Sequence, residues 1–336
     1  LSSFALSLLL TPQARRFAYK FNIIDQPGFR KIHEKPMPLS GGLVIFLSFI
    51  AVLWFLPVGL REKASISCFG FALISFGFLD DAGIKISARY KIWFHLLLAC
   101  FFVYFSGICF SLFNFQLINY LLTALFITFM TNSMNMLDGM DGLVSGVAFF
   151  SSLFMSILAL NNNMSAVAIL GIALSGATLG FIRYNFNPAS IFLGESGSTF
   201  LGFILAVIAL KIKIYKLWGI ALFLNLPRLQ FISFVVPLII LGIPIFDTFF
   251  VFANRFFHRI KMSTPGKDHS HHRINLMGLS HRMTVLSLYC VQIILGLIAL
   301  AMVNADLQQF FSLFSIVVVM AAFAWMFLLR VQVYSK

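Results

Sequence analysis

The chain has 336 residues, of which 60% are hydrophobic and 10% charged, with 42 Phe and only 11 Asp and Glu. A soluble globular domain of that composition lacks the polar surface to cover itself, and intrinsic disorder is excluded by the same hydrophobicity. The net charge of +13 would suggest nucleic acid in a soluble protein. In a membrane protein the positive-inside rule accounts for it first, then anionic lipid or a phosphorylated substrate, so no nucleic-acid partner is expected.

A membrane span needs about 20 mostly apolar residues. Apolar runs lie at 1–11, 40–58, 65–79, 92–106, 117–131, 142–160, 164–182, 198–215, 229–250, 284–303 and 308–329. They predict an all-α polytopic integral membrane protein with about 10–11 transmembrane helices, one domain over 1–336, in contact with the lipid bilayer. The sequence opens at Leu1 within the tail of an apolar segment, so the N-terminus is expected to be truncated. Cys68, Cys100, Cys109 and Cys290 are far apart and have no His partners, which reads as reduced packing residues rather than a zinc site.

Strict alternation sends 12–39, 80–91, 132–141, 183–197, 253–283 and the C-terminus to one face. That face carries 18 of the 24 Lys and Arg and is therefore expected to be cytoplasmic. Arg61, Lys63, Lys211, Lys213, Lys216 and Arg228 fall on the opposite face, which makes 211–228 the weak stretch of this topology. The acids divide more sharply. Asp25, Glu34, Asp80, Asp81, Asp138, Asp141, Glu195, Asp247 and Asp268 fall on the cytoplasmic side, and only Glu62 and Asp306 lie opposite.

In chain order, the first polar segment runs Asp25-Gln26-Pro27-Gly28-Phe29-Arg30-Lys31-Ile32-His33, then Pro36, Pro38, Gly41 and Gly42, and alone reads as a basic loop. Asp80 and Asp81 end the third apolar run, at the unfavourable end of the helix dipole, where they also repel each other. A metal ion or phosphate–metal complex would make that arrangement favourable; two hydrated loop acids are the blander reading. Next comes Asn132-Ser133-Met134-Asn135-Met136-Leu137-Asp138-Gly139-Met140-Asp141-Gly142-Leu143. Asn135, Asp138 and Asp141 are spaced by three, so a helical turn would set them on one side.

Arg183-Tyr184-Asn185-Phe186-Asn187-Pro188 leads into Leu193-Gly194-Glu195-Ser196-Gly197-Ser198, which opens the eighth run. Free N–H groups there would face an anion, with Ser198 as a plain N-cap. Asp247 is a lone carboxylate in an apolar run and is functional by default, unless a partner such as Arg255 makes it structural. Gly266-Lys267-Asp268-His269-Ser270-His271-His272-Arg273 has three His without a second cluster to complete a metal tetrahedron. With Lys267 and Arg273 they fit phosphate recognition better, a solvated basic loop being the alternative. His95 and His258 read as packing or interfacial residues.

The ordered set resembles the polyprenyl-phosphate N-acetylhexosamine-1-phosphate transferases, membrane enzymes that start bacterial cell-envelope glycans. It covers the chain from Asp25 to Arg282, through D-Q-P-G-F-R-K-I-H, F-L-D-D, S-A-R-Y-K ending at Lys91, N-M-L-D-G-M-D-G-L, R-Y-N-F-N-P, P-I-F-D-T and D-H-S-H-H. The histidine cluster resembles the branch using UDP-N-acetylglucosamine more than the muramoyl-pentapeptide branch, with other UDP-N-acetylhexosamines as close competitors. One position departs from the pattern: Glu195 stands where the family has an aspartate that binds magnesium, and it reaches one methylene further. Mg²⁺ demands near-ideal octahedral geometry, so the backbone must shift, a water must intervene, or activity falls.

The resemblance implies attack by undecaprenyl phosphate on a UDP-N-acetylhexosamine, with UMP released, in the bacterial inner membrane; it leaves a homodimer open. Anionic substrates beside carboxylates call for a hard cation, and the absence of suitable thiolates points to Mg²⁺ or Mn²⁺. By resemblance Asn135, Glu195 and Asp81 bind the metal, and Asp80 and Asp81 are the catalytic pair. Asp138, Asp141, Lys91, Asn187, Asp247, His269, His271, His272 and Arg273 would bind substrate. A secondary transporter and a catalytically silent member of the family are the competing readings.

Overall fold

A computed structural model describes residues 1–27, 35–262, 264, 266–331 and 333. Gly28, Phe29, Arg30, Lys31, Ile32 and His33 of the first polar segment, together with Glu34 and Lys336, lie outside the described residues.

Each of the eleven apolar runs becomes helical. The order is α1 (Ser2–Lys20), α2 (Gly41–Leu53), α3 (Leu60–Asp81), α4 (Ala88–Ser106), α5 (Gln116–Leu137), α6 (Leu143–Asn161), α7 (Ser165–Asn185) and α8 (Gly194–Lys211). Short helices follow: α9 (Trp218–Phe223), α10 (Gln230–Ser233), α11 (Val235–Ile240), α12 (Gly242–Phe257) and α13 (Ser270–Leu276). The long α14 (His281–Met302) and α15 (Leu307–Leu329) close the chain. Between α1 and α2 the strands β1 (Ile24–Asp25) and β2 (Met37–Pro38) pair antiparallel, Ile24 opposite Pro38. Among the described residues, eight helices are long and apolar enough to cross a membrane, namely α3 to α8, α14 and α15.

Burial grades from centre to rim. In α8 every residue from Ser196 to Leu210 is buried, and it packs against α2, α3, α5 and α6. At the rim, only 6% of the span in α15 is buried within the protein, and Val318, Val319, Phe323 and Met326 point outward. Such an apolar exterior is stable against lipid and not against water.

The run at 229–250 is not one straight span. Its helices α10–α11 and α12 meet at Leu241 with a bend of 84°. Pro244 causes the break, because proline has no N–H to offer the carbonyl of Ile240 and its ring would clash there. The freed Ile240 carbonyl is satisfied by Gln292 Nε2 of α14 at 2.7 Å, with Ser151 Oγ of α6 at 3.4 Å. Irregular backbone at membrane depth persists where neighbouring helices supply such donors.

Five of the six cations expected on the opposite face have local partners. Arg61 donates to the carbonyls of Tyr104 and Phe105 at the end of α4, and Lys63 to that of Trp54 just past α2. Lys211 pairs with Glu62 at 2.6 Å. Lys216 bonds Asn304 and Arg228 bonds Asn114. Arg61 and Lys63 thus satisfy helix ends, and Lys211, Lys216 and Arg228 bond polar side chains of neighbouring segments.

Candidate active site

The C-terminal ends of α3 and α5 and the N-terminal ends of α4 and α8 meet at one end of the bundle. Asp81 closes α3 at the wrong end of that helix's dipole but stands at the right end of α8. It accepts the N–H of Glu195 at 2.8 Å and, on its other oxygen, the N–H and hydroxyl of Ser196 at 3.2 and 2.8 Å. The anion expected at the Gly-Glu-Ser-Gly-Ser turn is thus supplied by the chain itself. Gly194 has φ +78°, and a Cβ there would stand 2.5 Å from Asp81 Oδ2, so conformation and space both demand glycine. Ser198 does not cap the helix as expected. The helix starts four residues earlier, and its hydroxyl donates back to the Gly194 carbonyl at 3.1 Å.

Asp80 takes the N–H of Ile86 at 3.2 Å and the Lys91 ammonium at 3.0 Å. Lys91 also pairs with Glu195 Oε2. The remaining oxygen, Glu195 Oε1, is buried with no hydrogen-bond partner.

The Asn135–Asp141 segment is less helical than its spacing predicts. Helix α5 stops at Leu137, leaving Asn135 in its last turn and Asp138 and Asp141 in the loop before α6. Asp141 accepts from Asn187 Nδ2 and the N–H of Ala189, both at 3.1 Å. Asn185, which the sequence reading did not single out, holds the same loop: its Oδ1 accepts from the N–H of Gly142 and the Ser145 hydroxyl. The Asn-x-Asn spacing was the available signal. Asp138 stands exposed at the mouth, yet protein packed around it and the nearby Asp81 and Asp141 carboxylates hold it above the usual carboxylate range.

Asp247 is fully buried on α12, and its partner is not Arg255. It accepts the N–H and hydroxyl of Ser270 at 2.7 and 2.6 Å, and His269 Nδ1 lies 2.8 Å away. One carboxylate therefore caps α13 and orients the first histidine, leaving His269 Nε2 for a ligand. Arg255 instead forks onto Asp268 at 2.7 and 2.8 Å. His271 is fully buried with neither ring nitrogen hydrogen-bonded. It and His272 press on Gly139, where a Cβ would overlap the His271 ring, so the histidines meet the Asp138–Asp141 loop. Burial holds His271 well below the usual histidine range, and burial with the neighbouring His269 and Lys267 pushes His272 down to about 4. Both are neutral near pH 7.

Arg273 is engaged elsewhere. Its guanidinium donates to the carbonyls of Leu328 and Val331 at 3.0 and 2.6 Å, and to that of Asp268 at 3.1 Å. His95 is buried against Asn132 at 3.3 Å, and His258 lies 2.8 Å from the Asn254 carbonyl, both packing roles.

Asn135, Asp80, Asp81 and Glu195 offer oxygen donors, the chemistry that suits a hard divalent ion, and Glu195 Oε1 is buried without a hydrogen-bond partner. Among the described residues no three Asp, Glu, His or Cys side chains already converge as a cage. On the opposite side of α12 from Asp247, Ile245 and Phe249 face an apolar groove of about 440 Å³. Phe126, Leu238, Gly242 and Phe314 are among its other walls, at the Leu241 bend.

Comparison with known proteins sets this geometry beside named relatives. The family described as glycosyl transferase family 4 matches residues 63–213. A probable undecaprenyl-phosphate N-acetylglucosaminyl 1-phosphate transferase of Bacillus subtilis is 35% identical over 94% of this chain and 88% of its own length. A decaprenyl-phosphate N-acetylglucosaminephosphotransferase of Mycobacterium tuberculosis is 25% identical over 86% of this chain and 78% of its own. A phospho-N-acetylmuramoyl-pentapeptide-transferase of Bacillus cytotoxicus is 30% identical over 63% and 72%.

Proposed function

Because the chain belongs to glycosyl transferase family 4, among the polyprenyl-phosphate N-acetylhexosamine-1-phosphate transferases, we propose that it moves N-acetylglucosamine-1-phosphate from UDP-N-acetylglucosamine to undecaprenyl phosphate. The observation that carries this is the similarity along 94% of the chain to a relative named for that reaction. The site geometry supports it independently. Carboxylates, a lysine and neutral histidines meet at one end of the bundle, and an apolar groove large enough to take part of a lipid chain lies across α12 from Asp247.

An oxygen of the lipid phosphate attacks the sugar-proximal phosphorus of the UDP-sugar. The new P–O bond forms as the bond to the bridging oxygen breaks, and UMP leaves with that oxygen. The attacking monoester has a second pKa of about 6, so at neutral pH it is largely dianionic and needs little help from a base. Catalysis then rests on positioning and charge neutralisation. Mg²⁺ or Mn²⁺, held by Asn135, Glu195 and Asp81, would supply that neutralisation. Asp80, held by Lys91 and the N–H of Ile86, would position the attacking phosphate. Asp138 and Asp141 orient the nucleotide-sugar, with Asn187 holding Asp141 in place. His269 Nε2 and the neutral His271 and His272 offer N–H donors to phosphate oxygens. Lys91 contributes a cation, and the groove takes the lipid's apolar tail. The charge bias of the loops supports an inner-membrane protein with this site toward the cytoplasm.

The test is a radiolabel assay on membranes containing the protein, with undecaprenyl phosphate, Mg²⁺ and a panel of UDP-sugars. Lipid-linked product from UDP-N-acetylglucosamine, lost on chelation, is the expected result. Absence of lipid-linked product with every sugar would sink the proposal.

A further inference from the structure

We propose that Lys91 is a tethered counter-cation: its ammonium holds the Asp80–Glu195 carboxylate pair until a divalent ion takes its place, and this competition sets the metal affinity of the site. The inference rests on the metal-dependent reading above and adds a role for one side chain within it.

Asp80 and Glu195 come from different helices, 115 positions apart, and their like charges repel. The Lys91 ammonium bridges them, 3.0 Å from Asp80 Oδ1 and paired with Glu195 Oε2. The three side chains are only 17%, 26% and 10% exposed for Lys91, Asp80 and Glu195, so water screens this contact far less than a surface ion pair. Lys91 lies in the first turn of α4, the helix end whose dipole disfavours a cation. The two carboxylates are what make that position favourable.

The neutralisation is incomplete. Glu195 Oε1 is buried without a partner, and one ammonium on one oxygen of each acid leaves it so. A divalent ion bound to the Glu195 carboxylate brings two charges to the place where the lysine brings one. An ion that takes both Glu195 oxygens, the free Oε1 and the lysine-bound Oε2, displaces the ammonium from Oε2 and so releases Lys91. Its four-carbon stem is flexible, and the freed ammonium becomes available to the phosphates that substrate carries in. The extra methylene of Glu195 fits this arrangement, since it extends the carboxylate toward the lysine.

The test is direct Mn²⁺ titration of the purified full chain by electron paramagnetic resonance, without substrate, for wild type and four variants. Lys91→Met is expected to bind Mn²⁺ about tenfold or more tighter than wild type, while Lys91→Arg, still cationic, binds no tighter. In EDTA, Lys91→Met is also expected to melt below wild type, and Mn²⁺ raises its Tm by more. Lys91→Gln, equally neutral, is the parallel variant should the methionine protein not fold. Equal or weaker Mn²⁺ binding by the neutral variants, with binding lost in Glu195→Gln, overturns the role of Lys91 and leaves the metal site standing. Mn²⁺ binding indifferent to Glu195→Gln overturns both.

Discussion

Asp81 accepts the N–H of Glu195 at 2.8 Å, so the acid that closes α3 is also the cap of the helix carrying the other key carboxylate. One residue thereby fixes where α8 begins, and with it where Glu195 stands relative to Asp80 and Lys91. Asp81→Asn keeps size but replaces one acceptor oxygen with an NH₂ group that would oppose the donors of Glu195 or Ser196. Loss of such a cap costs about 1 kcal/mol. Divalent-dependent UMP release is expected to disappear while the protein still inserts in the membrane, with Tm lowered by a few degrees. Full transferase activity in this variant would remove the double-aspartate argument.

Glu195 itself separates charge from reach. Glu195→Gln keeps the length and removes the charge, and its transferase activity is expected to fall to background. Glu195→Asp restores the residue the family pattern has there and loosens the contact to Lys91, so activity is expected to persist. Initial rates of UMP release at several Mg²⁺ concentrations distinguish the two. Persistent activity in Glu195→Gln would dismiss this carboxylate as a ligand.

How much of this was legible beforehand follows from range. Every apolar run became helical, because hydropathy is a local property. The run at 229–250 nevertheless broke at Leu241, and among the described residues eight helices, or nine with that bent pair, are long and apolar enough to span where about 10–11 were expected. The motifs around Asp80, Asp138, Glu195 and His269 were also readable, but their partners were not. Asp81 and Ser196 are 115 positions apart, and nothing in either segment announces that one caps the other. The same holds for Asp247, whose expected partner Arg255 lies two turns along its own helix, whereas its actual partners His269 and Ser270 come from α13 and its threshold. Short-range spacing also misled at Asp138 and Asp141, where α5 ends before the turn that would align them.

The neutral histidines give a pH signature. An unfolded histidine titrates near 6.5, whereas folded His272 is held down to about 4. Between those values the unfolded chain binds the proton and the folded chain does not, so this contribution to stability is present above about pH 6.5 and is lost as pH falls toward 4. Tm in detergent is expected to fall over that window, and His272→Gln to flatten the fall. A phosphate ligand would favour the charged form, so saturating UDP-N-acetylglucosamine is expected to shift the window upward. A Tm profile identical in wild type and His272→Gln would remove His272 as its source.

The bend at Leu241 links fold to acceptor. Gln292 Nε2 donates to the Ile240 carbonyl that Pro244 leaves free, and Gly242 and Leu238 at the same bend line the apolar groove. Gln292→Leu removes that donor and leaves a buried carbonyl with only the 3.4 Å contact from Ser151. An unsatisfied buried acceptor costs about 1–3 kcal/mol, partly offset because Gln292 Oε1 is itself buried without a partner. A lowered Tm follows from the carbonyl alone. The groove gives a second, more specific expectation: KM for undecaprenyl phosphate rises severalfold while KM for UDP-N-acetylglucosamine stays within about twofold, since the Asp247–His269 pair on the far side of α12 is untouched. Gln292→Lys, which keeps a donor, is expected to recover part of the acceptor KM. Equal rises in both KM values would mean that the bend supports the whole site rather than the lipid groove.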